Sequence, residues 1–337
     1  MFKKYSKGLV IGKFMPFHKG HEYLINFAKE YCDHLFVIVD CLKDQTIDPI
    51  TRKTWIESTI PNITVIALDT FMPQDPSECS DFWDIWRNAI LSRTGKIDVL
   101  VAAMDYGWKL SEELKCETII LDVARNGINI SATEIRHNTF KHWNYLTNIV
   151  KQDYVKKICL IGPESTGKST ISKKLAQKYE TVFVPEFAIN IINHQNGNFY
   201  ENNIIPIIQG QLNSEKNMAL NSNKIMFCDS DFITTLTWAK CLFNYENLEL
   251  EKFLLQKYQN NYDITFLLYP DTQWVYDTHR NVVKNSQDLE FRLQMFHMME
   301  QLLIKFNRKY IVLKGDYSIK EQLINEYIHH NYSLFNE

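Results

Sequence analysis

The chain lacks several features, and each absence excludes a class of protein. No apolar run among its 337 residues approaches the roughly 20 that a membrane helix needs, so membrane insertion is not expected. The opening Met1-Phe2-Lys3-Lys4 has the charge of a signal n-region, but the apolar stretch behind it, Leu9 to Ile11, is too short for an h-region. No cysteine pair has C-x-x-C spacing. The seven cysteines are scattered and odd in number, which argues against a disulfide framework and a zinc site and favours a reducing, cytoplasmic compartment. Basic charge is not in excess: 37 Lys and Arg stand against 40 Asp and Glu, a net charge of -3. That gives no global footprint for nucleic acid, while local basic sites for phosphate stay open. No repeat of fixed period is visible, and the asparagine-rich run from Asn190 to Asn223 reads as base-composition bias plus one long surface loop.

What is present points to two α/β domains. The length is too great for one typical domain, and the 45% hydrophobic and 23% charged fractions are ordinary for globular protein. Short β-type runs at Gly8–Gly12, Leu35–Val39, Thr64–Leu68, Val99–Ala103 and Thr118–Leu121 alternate with helical stretches, the first helix running from about Lys19 to Tyr31. A further helix start is read from Ser131 to about His137. The rhythm restarts with strands expected at Lys156–Ile161, Thr181–Pro185, Ile225–Cys228, Ile264–Leu268 and Tyr310–Leu313. The expectation is a domain over 1–147 and another over 154–337, each with a mostly parallel sheet, joined by a helical linker near 142–153. Ligands are expected at the C-terminal strand ends.

Gly162-Pro163-Glu164-Ser165-Thr166-Gly167-Lys168-Ser169 fits G-x-x-x-x-G-K-[ST] between a predicted strand and a predicted helix. In such a loop, glycines let backbone N–H groups curl around phosphate oxygens, and the helix N-terminus adds positive potential. The cradle would comprise Gly162, Glu164, Ser165, Thr166, Gly167, Ser169 and Thr170. Lys168 would reach the β- and γ-phosphates of ATP, and Ser169 would ligate Mg²⁺. The motif alone does not separate kinase from ATPase or GTPase. Asp229, at the end of an apolar run, is the expected second metal ligand; Glu186 and Asp231 are both candidates for the base that a kinase needs. His279, Arg280 and Arg292 flank a polar segment that could form a lid over the nucleotide; for Arg292 a solvated helix face is the competing reading.

Gly12-Lys13-Phe14-Met15-Pro16-Phe17-His18-Lys19-Gly20-His21 follows the first strand and opens the first helix. Two histidines at i and i+3 share a helix face beside the positive dipole end, where they can donate N–H bonds to an anion. No further metal ligands stand nearby, so phosphate is favoured over metal. The segment resembles the G-x-F-x-P-x-H-x-G-H signature of the nucleotidyltransferase superfamily. Ile130-Ser131-Ala132-Thr133-Glu134-Ile135-Arg136 resembles that superfamily's I-S-[SA]-T-x-[IL]-R motif. A capping box explains Ser131 and Glu134 but not Thr133 and Arg136. Adenylyl transfer at such a site uses an anionic nucleophile and needs no general base, only positioning and charge stabilisation. Lys13, His18, His21 and Arg136 are its candidate charged or donating residues, with Gly12, Phe14, Ser131 and Thr133 on the nucleotide.

The order of the two motif sets resembles the NadR family, in which a Rossmann-like nicotinamide mononucleotide adenylyltransferase is joined to a P-loop ribosylnicotinamide kinase. Arg52 with Trp55, Asp105-Tyr106-Gly107, Arg125, Asp229 to Thr235 and Trp274-Val275 also match. The resemblance implies phosphorylation of nicotinamide riboside and adenylyl transfer to the mononucleotide, giving NAD, with ATP as co-substrate at both sites, Mg²⁺ as cofactor, and Trp83 or Trp86 on the nicotinamide ring. It leaves homo-oligomerisation open. The chain departs from the family in two ways. It starts almost at its first strand, where many members carry a helix-turn-helix domain, so no DNA-binding role is expected. After Glu186, Ile189 and Asn190 stand where the family tends to carry arginine and glutamate. A second reading therefore keeps adenylyl transfer and makes the P-loop domain a nucleotide sensor. A third is adenylyl or cytidylyl transfer to another acceptor, such as pantetheine phosphate.

Overall fold

The computed structural model describes residues 4–103, 106–123, 128–258, 260–275 and 287–332. The chain divides into two compact units between Asp153 and Tyr154. The first runs β1 (Tyr5–Gly12), α1 (Lys19–Tyr31), β2 (Cys32–Val39), α2 (Pro49–Thr59), β3 (Thr64–Ala67), α3 (Phe82–Thr94), β4 (Val99–Ala102), α4 (Tyr106–Leu114), β5 (Glu117–Ile120) and α5 (Ala132–His137). Its five strands are all parallel, in the order β3-β2-β1-β4-β5. Leu9, Val10 and Ile11 form a continuous apolar run because β1 lies at the centre, covered on both faces. The strand order reverses direction between β1 and β4, so the crevice for a ligand opens at the C-terminal end of β1, where Gly12 stands.

The segment between the expected domains is helical in two pieces, a single turn at Trp143–Tyr145 and α6 (Asn148–Tyr154). The second unit continues with β6 (Lys156–Ile161), α7 (Lys168–Lys178), β7 (Phe183–Val184), α8 (Ala188–His194), α9 (Ile204–Ala219), β8 (Ile225–Asp229), α10 (Phe232–Phe243), α11 (Leu248–Tyr258), β9 (Ile264–Leu268), α12 (Leu289–Lys305), β10 (Tyr310–Leu313) and α13 (Tyr317–Asn331). Its five parallel strands are ordered β10-β9-β6-β8-β7. The phosphate-loop strand β6 is again central, and its order switch lies between β8 and β9.

Two expectations are corrected. The strand read at Thr181–Pro185 shrinks to Phe183–Val184. The Thr181 N–H bonds back to Ala176 at the end of α7, and Pro185 has no N–H to give the ladder. The asparagine-rich run is not a single loop but carries the end of α8 and the whole of α9. Ile204, Ile207, Ile208, Gln211, Glu215 and Ala219 bury one face of α9 at helical spacing, and that periodicity outweighs composition. No helix among the described residues is long and apolar enough to cross a membrane.

Candidate functional site

In the first unit, the chain leaves β1 at Gly12 and turns into α1 through a loop whose side chains are mostly buried. Phe14, Met15, Phe17 and His18 are all below a tenth exposed. His18 caps α1, its Nδ1 accepting the Gly20 N–H at 3.1 Å. This acceptor role leaves the ring proton on Nε2. Gly20 is required here because a Cβ would meet the His18 ring at 2.9 Å. The His18 and His21 rings stack with centroids 3.7 Å apart and planes at 28°. Phe14 meets His21 edge-on at 5.0 Å, and Phe17 stacks at 6.2 Å. Burial lowers the His18 pKa to about 4; burial, then the neighbouring His18, puts His21 well below its ordinary value. Both imidazoles are therefore neutral near pH 7, each able to donate one N–H to an anion. Phe14 is 1% exposed, so only its backbone can face a nucleotide.

Arg136 projects from α5 and donates to the Met15 carbonyl and to Thr133 Oγ1, at 2.9 Å for the latter. It ties α5 to the histidine loop while staying exposed. The capping box at Ser131 and Glu134 is fully formed, with the Ser131 hydroxyl held by the Glu134 carboxylate. Lys13 is exposed at the loop's start. Behind it the fully buried Arg52 donates to the carbonyls of Lys13 and Asp48 and to Gln45.

Asp40 was missed as a site candidate. It stands just past the end of β2, 3% exposed, with Oδ2 accepting from Gln74 at 2.8 Å and Oδ1 without a partner. Burial raises its pKa, against the pull of Gln74, Lys13 and Arg52. The signal was available: Val37-Ile38-Val39-Asp40 is an apolar run ending in a carboxylate, the same pattern that singled out Asp229. Of the two tryptophans read as ring platforms, Trp86 is a core residue whose indole N–H bonds to Pro73 O at 3.0 Å, while Trp83 is half-buried. Trp108 on α4 is the more open aromatic, 56% exposed. Asp105 and Arg125 lie outside the described residues.

In the second unit the phosphate loop connects β6 to α7. Gly162, at φ 155°, has no room for a Cβ, which would stand 2.7 Å from the Leu268 carbonyl oxygen. Gly167 caps α7 in the left-handed region at φ 98°. Lys168 is 5% exposed and donates to the Gly162 and Pro163 carbonyls at 2.9 and 3.0 Å. Thr166 is fully buried and bonds the Pro163 carbonyl at 2.9 Å, so its side chain shapes the loop. The Ser165 hydroxyl pairs with both the N–H and C=O of Val275 at 3.1 Å. Ser169 is half-buried and Thr170 exposed on the first turn of α7. Glu164 is 9% exposed, and its carbonyl accepts from Arg292 Nε at 3.1 Å.

Arg292 is 3% exposed, which removes the solvated-face reading. It bonds the Glu164 and Thr272 carbonyls and keeps Nη2 without a partner. Asp229 ends β8, 2% exposed. The two base candidates differ. Glu186 is half-buried just beyond β7. Asp231 is 2% exposed and caps α10, its Oδ1 accepting the Ile233 and Thr234 N–H groups at 2.9 and 3.3 Å. Burial raises its pKa, with Arg308 opposing. His279 and Arg280 lie outside the described residues. Among the described residues no cluster of three or more His, Cys, Asp or Glu is arranged for a metal.

A neutral-histidine loop on one Rossmann-like sheet, followed by a phosphate loop on a second parallel sheet, defines a nucleotidyltransferase-like unit fused to a P-loop unit. The AAA domain family model matches residues 157–320. The trifunctional NAD biosynthesis/regulator protein NadR of Escherichia coli K12 is 29% identical over 91% of this chain and 79% of its own length. The nicotinamide-nucleotide adenylyltransferase of Thermococcus onnurineus is 26% identical over 54% of this chain and 99% of its own. A crystal structure of NadR protein in complex with NR shares the fold, with TM-score 0.77 and 21% identity over 99% of each chain. The chain is thus similar to NadR in sequence along most of its length and in fold.

Proposed function

We propose that this chain makes NAD in two ATP-dependent steps. In the second unit, residues 154–337, the 5′-hydroxyl of nicotinamide riboside attacks the γ-phosphorus of ATP, giving the mononucleotide and ADP. In the first, within residues 1–147, the phosphate of the mononucleotide attacks the α-phosphorus of a second ATP, giving NAD and pyrophosphate. The observation that carries this reading is that each phosphate-binding loop leaves the central strand of its sheet at the order switch, in a chain related to NadR along most of its length.

In the first unit, His18 and His21 donate N–H bonds to the phosphates, Lys13 adds positive charge, and Arg136 and Thr133 bring the start of α5 to the same loop. No base is assigned, because the attacking phosphate is already ionised. In the second, the backbone N–H groups of Gly162 and of 164–169, with Lys168, hold the β- and γ-phosphates. Glu186, the more accessible carboxylate, takes the proton of the attacking hydroxyl, whereas Asp231 serves as a helix cap. Mg²⁺ suits Ser169 and Asp229, since it binds through few protein oxygens plus substrate phosphates, and it would neutralise phosphate charge there.

The test is product analysis by chromatography after mixing the protein with Mg-ATP and either nicotinamide riboside or its mononucleotide. NAD from both, with ADP only from the riboside, is the expected result. NAD from the mononucleotide alone would instead favour the sensor reading, for which Ile189 and Asn190 are the motivating observation. NAD from neither would overturn the substrate assignment.

A further inference from the structure

The segment beginning at Glu186 runs into α8, which buries no residue completely, so α8 does little to fix the segment through its own packing. The residue next to Glu186 is nevertheless held tightly from α9. The Phe187 N–H donates to Gln211 Oε1 at 2.9 Å. The Phe187 ring occupies the space where Gly210 would carry a Cβ, which would lie 2.0 Å from the ring. Two consecutive α9 residues thus receive the backbone and the side chain of Phe187.

Gln211 is 3% exposed and also reaches the second carboxylate loop. Its Nε2 donates to the Ser230 carbonyl at 3.5 Å and to Glu215 Oε1 at 3.4 Å, both long contacts. Ser230 sits between Asp229 and Asp231 in the left-handed region, at φ 71°. Glu215, one turn along α9 and 1% exposed, accepts from Tyr262 and from Asn261 Nδ2, the latter at 2.9 Å. The result is a buried chain from the foot of β9, through Glu215 and Gln211, to the loops after β7 and β8. Such a chain is costly to leave half-satisfied, so it fixes one arrangement of its members.

We infer that Gly210 and Gln211 are positioning residues for riboside phosphorylation, setting where Glu186 stands relative to the Asp229–Asp231 loop. Ile189 and Asn190 give the segment no charged anchor beyond Glu186, and α9 supplies one from beneath. This inference rests on the proposed kinase reaction, and the test separates the two.

The variants are Gln211→Leu, which removes the acceptor and both donors, and Gly210→Ala, which places a methyl group against the Phe187 ring. Each is assayed in the full chain for riboside kcat, ATP KM, mononucleotide-to-NAD rate and hydrogen exchange at the Phe187 amide. Displacing a catalytic group by about an ångström costs on the order of 100-fold. The expected result is a kcat loss of that order in both variants, with ATP KM and the mononucleotide rate changed less than about twofold and Phe187 exchange accelerated. Full riboside kcat in Gln211→Leu with Phe187 exchange accelerated would overturn the inference, because the segment would be loose and the chemistry untouched. Equal losses in kcat and ATP affinity would also overturn it, marking general damage to the unit. If the wild type does not phosphorylate the riboside, the kinase reading fails. The inference, which rests on that reading, then falls with it, whereas full kcat in Gln211→Leu beside an active wild type overturns the inference alone.

Discussion

On the proposed reading, the two candidate sites would recognise phosphate by different means. In the first unit the donors are side chains, two stacked imidazoles wedged among phenylalanines and held neutral by burial. In the second they are backbone amides of a strained loop, with one lysine folded back onto two loop carbonyls. The difference concerns where charge resides. A neutral imidazole donates without bringing a buried cation that must be compensated when the ligand is absent. The lysine brings a positive charge and has two loop carbonyl dipoles among its partners. The first site should therefore be sensitive to what protonates the rings, and the second to the loss of a single cation.

The largest break in the comparison is Lys168→Ala. It should reduce riboside phosphorylation by at least ~10³-fold while leaving adenylyl transfer to the mononucleotide unchanged, as read by ADP and NAD formation from each substrate. His18→Ala and His21→Ala should do the reverse. NAD formation should fall roughly 10²- to 10³-fold while mononucleotide from the riboside accumulates, which single-turnover assays of each step would show. A comparable loss in both steps for either substitution would mean that the sites are not independent.

A smaller effect sharpens the contrast through pH. The His18 pKa is depressed to about 4 in the folded protein, and His21 is depressed as well. The unfolded chain binds protons near 6.5, where the folded one does not. The contribution of these groups to stability is thus present above about 6.5 and is lost as pH falls toward about 4. The denaturant midpoint of the first unit should drop over that window, and His18→Gln should flatten the drop. Adenylyl transfer should show no histidine titration between about pH 6 and 8; a rate step near 6.5 that disappears in His18→Gln would show that the ring is charged in the working enzyme. The smallest expected effect belongs to Ser131→Ala, which removes the capping box of α5 and should cost about 1 kcal/mol, measured as a shift in denaturant midpoint.

Much of this architecture was legible because local chemistry specified it. Lys156–Ile161, Ile264–Leu268 and Tyr310–Leu313 fall where apolar β-type runs place them, and α1 begins at Lys19, just after its histidine cap. Gly162, Gly167 and Lys168 announce a loop whose spacing already encodes its conformation. The asparagine-rich run folds against its composition because Ile204, Ile207 and Ile208, at helical spacing, bury a helix face. The Ser165 and Thr166 hydroxyls are engaged within the protein, by Val275 and Pro163, so any contact of these two residues with a phosphate falls to their backbone N–H groups.

By itself, the sequence determined the two α/β units and the glycine-bearing loops that leave β1 and β6, because strand period, glycine at positive φ and helix starts act over a few residues. Tertiary structure alone decided which of those residues are available. It made Asp231 a buried helix cap, Arg292 a clamp on the Glu164 carbonyl, Asp40 a buried carboxylate beside Arg52, and Gln211 a link between two loops. Burial and hydrogen-bond partners come from segments far apart in the chain, so a residue's charge, its free donors and its reach are set only when those segments pack.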